Sequence, residues 1–258
     1  MDISGLALAA PSGLLVGLLL ALLGGGGSIM ATPLLLYVVG IKDTHVAIGT
    51  SALAVAVNAL IGLGAHARAG TVKWPCAMVF ALAGIAGAYL GSILGQAMDG
   101  RYLLLAFAGI MFLVGLAMLK RRPDQGDTTV RLSPRIALRL VPIGFIVGLA
   151  SGFFGIGGGF LIVPGIMLGS GMAMLNAVGS SLFSVAAFGL TTSINYALAG
   201  LVDWPVAATF IASGAIGGIA GQKLAQKLSA KRGLLVRIFS GVIFLVSAYV
   251  AYRSLSEL

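Results

Sequence analysis

The sequence predicts an all-α, polytopic transmembrane fold made of two related halves, and three observations predict it. Charged residues are 9% of the 258 positions and hydrophobic residues 59%, where an ordinary globular domain carries about 25% charged residues. The charges are also segregated: no Asp, Glu, Lys or Arg occurs in Ile3–Ile41, Thr44–Ala67, Trp74–Met98, Tyr102–Leu119, Leu140–Val202 or Trp204–Gln222. A spanning helix needs about 20 apolar residues, so these blocks are of span size and two exceed a single span. Finally, the chain is written twice. Val16–Gly17–Leu18 through Gly24, Gly26, Gly27 and Pro33 recurs as Val147–Gly148–Leu149 through Gly155, Gly157, Gly158 and Pro164, at a constant offset of 131. At an offset of 130, Ala47–Ile48–Gly49–Thr50–Ser51 recurs as Ala177–Val178–Gly179–Ser180–Ser181, Trp74–Pro75 as Trp204–Pro205, and Gly84, Gly87 and Gly91 as Gly214, Gly217 and Gly221. A paired Trp-Pro in register with the glycines is hard to obtain by chance.

The elements follow in order. Met1–Pro11 lacks the positively charged start of a secretory signal and is taken as part of the first membrane segment. Leu6–Gly40 is interrupted by Gly24–Gly25–Gly26–Gly27–Ser28. The arms on either side are roughly 27 Å and 20 Å long as helices, so the break falls at or beyond the bilayer middle. Spans over Thr44–Ala67, Trp74–Met98 and Tyr102–Leu119 complete a first repeat, residues 1–119. Residues 120–139, with Pro123, Asp124, Gln125 and Gly126, form a basic linker. The second repeat, 140–258, opens with a second interrupted stretch, Leu140–Leu168, broken at Gly155–Ile156–Gly157–Gly158–Gly159.

Charge sets the topology. Eleven of the 16 Lys and Arg lie in two clusters, Lys120–Arg139 and Lys223–Arg237, as cytoplasmic flanks of membrane segments do; a nucleic-acid partner is not the reading this distribution supports. With both clusters in the cytoplasm, Leu140–Leu168 must enter and return on one side, because a single crossing would put the second cluster outside. Carried to the first half, the same hairpin places the loop with Arg68 and Lys73 inside, and both chain ends outside. Each half is then a broken helical hairpin plus three spanning helices, and the halves are inverted relative to each other, as in secondary transporters. The rival arrangement is a parallel duplication of eight plain spans. A prokaryotic inner (plasma) membrane is the expected location, with the lipid bilayer as surroundings and a homodimer compatible with the class.

A break at that depth is tolerated only when it is buried in protein or lines a cavity. The helix after each break begins with free N–H groups and the positive end of its dipole, and glycine lets a ligand come close. Two such starts, near Ser28 and Gly159, make an anion site without a buried cation. The candidate binding residues are Gly25, Gly26, Gly27, Ser28, Gly157, Gly158 and Gly159 at the breaks. Thr50, Ser51, Ser180 and Ser181, together with Thr32, add hydroxyl donors, and Asn58 and Asn195 add amides. The other glycine rows, Gly84–Gly87–Gly91 and Gly214–Gly217–Gly221, read as close helix packing.

The doubled motif Gly17…Gly24–Gly25–Gly26–Gly27…Pro33 and Gly148…Gly155–Ile156–Gly157–Gly158–Gly159…Pro164, followed by Gly49–Thr50–Ser51 and Gly179–Ser180–Ser181, resembles the TauE/SafE family over nearly the whole chain. The resemblance implies a transporter, usually an exporter, of sulfur-containing anions such as sulfite, sulfoacetate or related sulfonates. Ser28 stands where the second half has Gly159, which makes the two breaks unequal. An anion channel is the alternative. An intramembrane serine hydrolase, pairing Ser28 or Ser51 with His45 or His66, is a weaker one, because the second half has no histidine and a dyad does not explain the duplication. No enzyme activity and no cofactor is expected, and Cys76, the single cysteine, allows no intramolecular disulfide or cysteine-based metal site.

Overall fold

A computed structural model describes residues 3–120, 126–155, 159–229 and 234–256. In chain order the helices are α1 (Ile3–Leu23), a 3-10 segment (Gly24–Met30) leading into α2 (Ala31–Tyr37), α3 (Thr44–Arg68), α4 (Trp74–Gln96), α5 (Gly100–Lys120), α6 (Pro134–Phe154), α7 (Gly159–Ser170), α8 (Met174–Leu198), α9 (Trp204–Ser229) and α10 (Leu234–Ser256). Among the described residues, six helical stretches are long and apolar enough to cross a membrane: Gly5–Tyr37, Thr44–Arg68, Trp74–Gln96, Pro134–Phe154, Met174–Leu198 and Trp204–Leu228. Their outward side chains are apolar, with Leu82 70% and Leu198 84% exposed, as a lipid-facing surface requires.

Local chemistry sets the helix ends. Asp43 caps α3 by accepting the N–H groups of His45 and Val46 at 2.7 and 3.2 Å, and Ser133 caps α6 through the N–H of Ile136. Pro75 and Pro134 occupy first-turn positions of α4 and α6, where the missing N–H costs nothing. The described glycines with positive φ number six and form three repeat pairs: Gly24 (64°) with Gly155 (63°), Gly40 (85°) with Gly171 (74°), and Gly70 (68°) with Gly200 (74°). The duplicated sequence therefore turns its backbone the same way in both halves.

The halves are interleaved. α1 packs on α9 of the other half, where Gly13 and Gly17 meet Phe210 and Gly214. α6 packs on α4, where Gly144, Gly148 and Gly152 meet Phe80, Gly84 and Ala88. Residue numbers rise together in both pairs, so each pair is parallel, and the two contacts are copies under the repeat. A Cβ on Gly87 or Gly217 would meet the main chain of Phe145 and Leu149, or of Leu14 and Leu18, so these glycine rows bring backbones together. In the centre α3 and α8 run antiparallel: Gly62 lies against Leu182, and Gly189 against Ala52 and Ala56. α5 and α10 are antiparallel too, with the Ser247 hydroxyl donating to the Ala108 carbonyl at 2.9 Å and Phe112 edge-on to Phe244.

Loops gather on two faces. On one, the linker lies along the loop before α8, with the Asp127 N–H on the Gly171 carbonyl at 3.0 Å and the Ala173 N–H on the Asp127 carbonyl at 3.1 Å. Asn176 at the start of α8 donates to the Thr71 carbonyl at 3.0 Å, which brings the α3–α4 loop to the same face. On the opposite face, the Asp203 N–H reaches Thr50 near the start of α3, and Gly100 abuts Thr44.

Candidate functional site

The two helix breaks meet inside the protein. After α1, Gly24 turns with φ 64° and the chain folds back, so that Gly27 lies against the backbone of Leu19 and Leu20. The sequence reading puts the new helix start near Ser28. The chain instead winds immediately into a 3-10 helix at Gly24, and α2 begins at Ala31. Short side chains allow the tighter coil, and the Ser28 hydroxyl donates to the Gly25 carbonyl at 2.7 Å within it. In the second half, α6 ends at Gly155 with φ 63° and α7 starts at Gly159. Its arms are antiparallel, since Gly165 lies against Val147 and Ile143, and Gly169 against Leu140. A Cβ added to Gly25 would strike the backbone of Gly159, and one added to Gly159 would strike the backbone of Gly25. The breaks touch main chain to main chain, a contact only glycine permits.

The polar surroundings come from both halves. Ser181 on α8 accepts the Gly25 N–H at 3.1 Å and donates to the Val178 carbonyl at 2.8 Å. Its counterpart Ser51 donates to the Ile48 carbonyl at 2.9 Å, which leaves the Thr32 hydroxyl to donate to Ser51 across 2.7 Å. Ser28, Thr32, Ser51 and Ser181 are all fully buried. Gly26 faces the ring of Phe239 on α10, a contact that no sequence signal announces.

The remaining candidates lie elsewhere. Thr50 accepts the Asp203 N–H, and Ser180 the Lys73 N–H, each at 2.9 Å; each hydroxyl ties down an interhelical loop of the opposite half. Asn58 sits against Gly214 and reaches the Phe210 carbonyl at 3.5 Å. Asn195 donates to Ser92 at 2.5 Å, fourteen residues beyond Ser181 and so about 21 Å further along α8. Gly157 and Gly158 lie outside the described residues.

The histidines are not partners of the break serines. His66 Nε2 donates to the Ala21 carbonyl at 3.0 Å and Nδ1 lies 2.9 Å from the Thr71 hydroxyl, whereas Ser28 bonds the Gly25 carbonyl, and Ser51 bonds Thr32 and the Ile48 carbonyl. An apolar cavity of about 220 Å³ lies between α2 and α10, lined by Met30, Pro33, Leu34, Leu245 and Tyr249 among others. Its lining is almost wholly apolar and holds no charged side chain. Among the described residues, no group of three or more His, Cys, Asp or Glu gathers to hold a metal ion.

Residues 9–250 match the family described as "Sulfite exporter TauE/SafE". The chain belongs to the TauE/SafE family. A "Probable membrane transporter protein" of Xylella fastidiosa (strain 9a5c) is 49% identical over 263 residues, covering 100% of this chain and 99% of that protein. The "Probable membrane transporter protein YunE" of Bacillus subtilis (strain 168) is 26% identical, covering 94% of this chain and 96% of its own. The "Probable membrane transporter protein MJ0441" of Methanocaldococcus jannaschii is 30% identical over 59% of this chain and 58% of its own. No solved structure matches significantly. This TauE/SafE chain is a multi-pass helical membrane protein of a transporter family.

Proposed function

We propose that this TauE/SafE chain is a secondary transporter, not an enzyme, that exports small sulfur-containing anions such as sulfite, sulfoacetate or other sulfonates across a prokaryotic inner membrane. The anion binds between the two helix breaks. The observation that carries this reading is the reciprocal contact of Gly25 and Gly159: two interrupted helices of different halves end on each other inside an apolar protein. The charge-free blocks Ile3–Ile41 and Leu140–Val202 supply no cation there. Helix-start N–H groups are then the donors that hold negative charge, since the Ser28 and Thr32 hydroxyl protons already go to the Gly25 carbonyl and to Ser51.

The halves are an inverted repeat, with first and second repeats at 1–119 and 140–258 and the basic linker in the cytoplasm. Antiparallel packing of the counterparts α3 and α8, and of α5 and α10, supports this, as does the pairing of α1 with α9 and of α6 with α4. Rocking one half against the other would open the breaks to each face in turn. The protein sits in the bilayer with both ends outside, and a homodimer fits this plan.

Proteoliposome flux tests the reading. Sulfoacetate and sulfite should cross saturably and show counterflow, and the zwitterion taurine should not compete. Chloride-selective, unsaturable flux would make the protein a channel, and no flux above empty vesicles with any of these ions would remove the reading.

A further inference from the structure

We infer that the second repeat carries a hydroxyl-lined limb of the anion path, with Thr192 and Tyr196 as donors, and that His66 closes the corresponding place in the first repeat. The limb leads from the end of α6 toward the face bearing Asp43, Asp99 and Asp203. This rests on the transport reading above.

The repeat makes two places in the protein equivalent, and they differ. At an offset of 130, His66 and Gly62 on α3 correspond to Tyr196 and Thr192 on α8. In the first half, α1 breaks after Leu23 and the Gly25 N–H is taken by Ser181. The Ala21 carbonyl thus loses the partner an unbroken helix would give it. His66 supplies one, donating from Nε2 at 3.0 Å, while Nδ1 lies 2.9 Å from Thr71. Gly62 lies beside the same residue: a Cβ added to it would stand 4.0 Å from the Ala21 methyl. Both ring nitrogens of His66 are satisfied, and the imidazole, fully buried, plugs the space.

In the second half the counterpart of Ala21 is Gly152, and its carbonyl already accepts the Gly155 N–H at 3.1 Å. Tyr196 therefore has no carbonyl to cap. Its hydroxyl is buried without a partner, as are those of Thr192, one turn earlier, and Ser151, beside Gly152; all three residues are 0% exposed. The neighbours of Thr192 behave differently: Thr191 and Ser193 bond back to the carbonyls of Ala187 and Leu190 at 2.8 and 3.1 Å. The start of α3 closes the seam, with Gly49 against the Tyr196 Cβ and the His45 ring 6.3 Å from the Tyr196 ring. His45 Nδ1 is unpartnered as well. Buried polar groups in folded proteins are hydrogen-bonded in the great majority of cases. Thr192, Tyr196 and His45 gather on one seam of α3 and α8, and the repeat sets Ser151 beside it through Gly152, the counterpart of Ala21. Unpartnered groups so placed describe a place that receives a polar guest, and hydroxyls donate readily to the oxygens of an oxyanion.

The test uses the full-length protein with Cys76→Ala, reconstituted in proteoliposomes, with Thr192→Cys and, as control, Gly62→Cys. A Cβ at Gly62 meets only Leu182 and Ala21, at 3.4 Å and beyond, so the control should fold. A small anionic thiosulfonate should modify Thr192→Cys at least about tenfold faster than Gly62→Cys, and sulfoacetate should protect Thr192→Cys saturably. Equal, slow modification of both would overturn the limb; modification without protection would leave a wet seam outside the anion path and overturn it too. Tyr196→Phe gives a second reading: in a dry core, loss of an unpartnered hydroxyl raises Tm, whereas in the limb it leaves Tm unchanged and raises the half-saturating sulfoacetate concentration about tenfold. Flux through the Cys76→Ala parent, measured in parallel, reports separately on transport itself: if the parent carries no sulfoacetate, the transport reading fails whatever the labelling shows.

Discussion

The Ser181 hydroxyl holds the Gly25 N–H at 3.1 Å, so a side chain of the second repeat satisfies the backbone of the break in the first. Its own proton goes to the Val178 carbonyl, which fixes the oxygen lone pair toward Gly25. Ser180, one residue earlier, points about 100° away on the helix and holds the Lys73 N–H instead. Ser181→Ala leaves a buried N–H unpaired and should cost about 1–3 kcal/mol. It should also shrink the rise in Tm that saturating sulfoacetate produces by mass action. Ser180→Ala should lower Tm and leave that ligand-dependent rise intact. Thermal unfolding in detergent with and without sulfoacetate separates the two; equal loss of the rise in both variants would make Ser181 a structural residue only.

Gly25 and Gly159 exclude each other's Cβ, while Gly64 on α3 and Gly109 on α5 have nothing within 4 Å of that position. Gly25→Ala and Gly159→Ala should therefore separate the breaks and abolish sulfoacetate flux. Gly64→Ala and Gly109→Ala should keep flux and gain up to about 1 kcal/mol from the better helix former. Flux and Tm measured on all four check this, and wild-type flux in Gly25→Ala would remove the contact from the mechanism.

The duplication, the two hairpins and the place of the breaks were legible because each rests on backbone conformation that only certain residues allow. Gly24 and Gly155 turn alike because the motif puts glycine at both, and Trp74–Pro75 and Trp204–Pro205 mark matching helix starts. Which hydroxyl meets which neighbour was not legible. Thr50 and Ser51 are adjacent, yet one reaches the loop at Asp203 and the other Thr32 of its own half. That difference arises from a one-residue rotation about the helix and from where the opposite half lies. Asn58 and Asn195 carry useful donors in the sequence, but their partners at Phe210 and Ser92 come from helices whose pairing no local pattern encodes. The contact of Phe239 with Gly26 is hidden for the same reason.

His66 should matter more for stability than the half-buried His45. His66→Leu leaves the Ala21 carbonyl and the Thr71 hydroxyl without the imidazole, an expected cost of about 1–3 kcal/mol for the carbonyl alone. His66→Gln, which can still donate to Ala21, should recover part of it. His45→Gln should change Tm little, since the cap on α3 is made by Asp43 to the backbone N–H of residue 45 and survives the change. Denaturation of the three variants in one detergent decides the order, and a larger loss in His45→Gln than in His66→Leu would contradict it.

Orientation in the membrane is the prediction on which the paired breaks depend. The α3–α4 loop shares a face with the linker and the start of α8, through Asn176 on the Thr71 carbonyl and Asp127 on Gly171. Its repeat partner, the α8–α9 loop, sits on the other face through Asp203 and Thr50. Arg68, Lys73, Arg131, Arg135 and Arg139 all belong to the first face, which the positive-inside rule makes cytoplasmic. Arg68→Cys and Lys227→Cys, in a Cys76→Ala background, should therefore resist an impermeant thiol reagent in intact cells. Asp99→Cys and Ala199→Cys, both at exposed positions, should react. Permeabilised cells should label at all four, which guards against a buried thiol being mistaken for an internal one. If Arg68→Cys and Ala199→Cys behave alike in intact cells, the repeats are parallel. Both hairpins would then enter from one face, and a site opened to the two faces in turn by rocking one half against the other would have no basis.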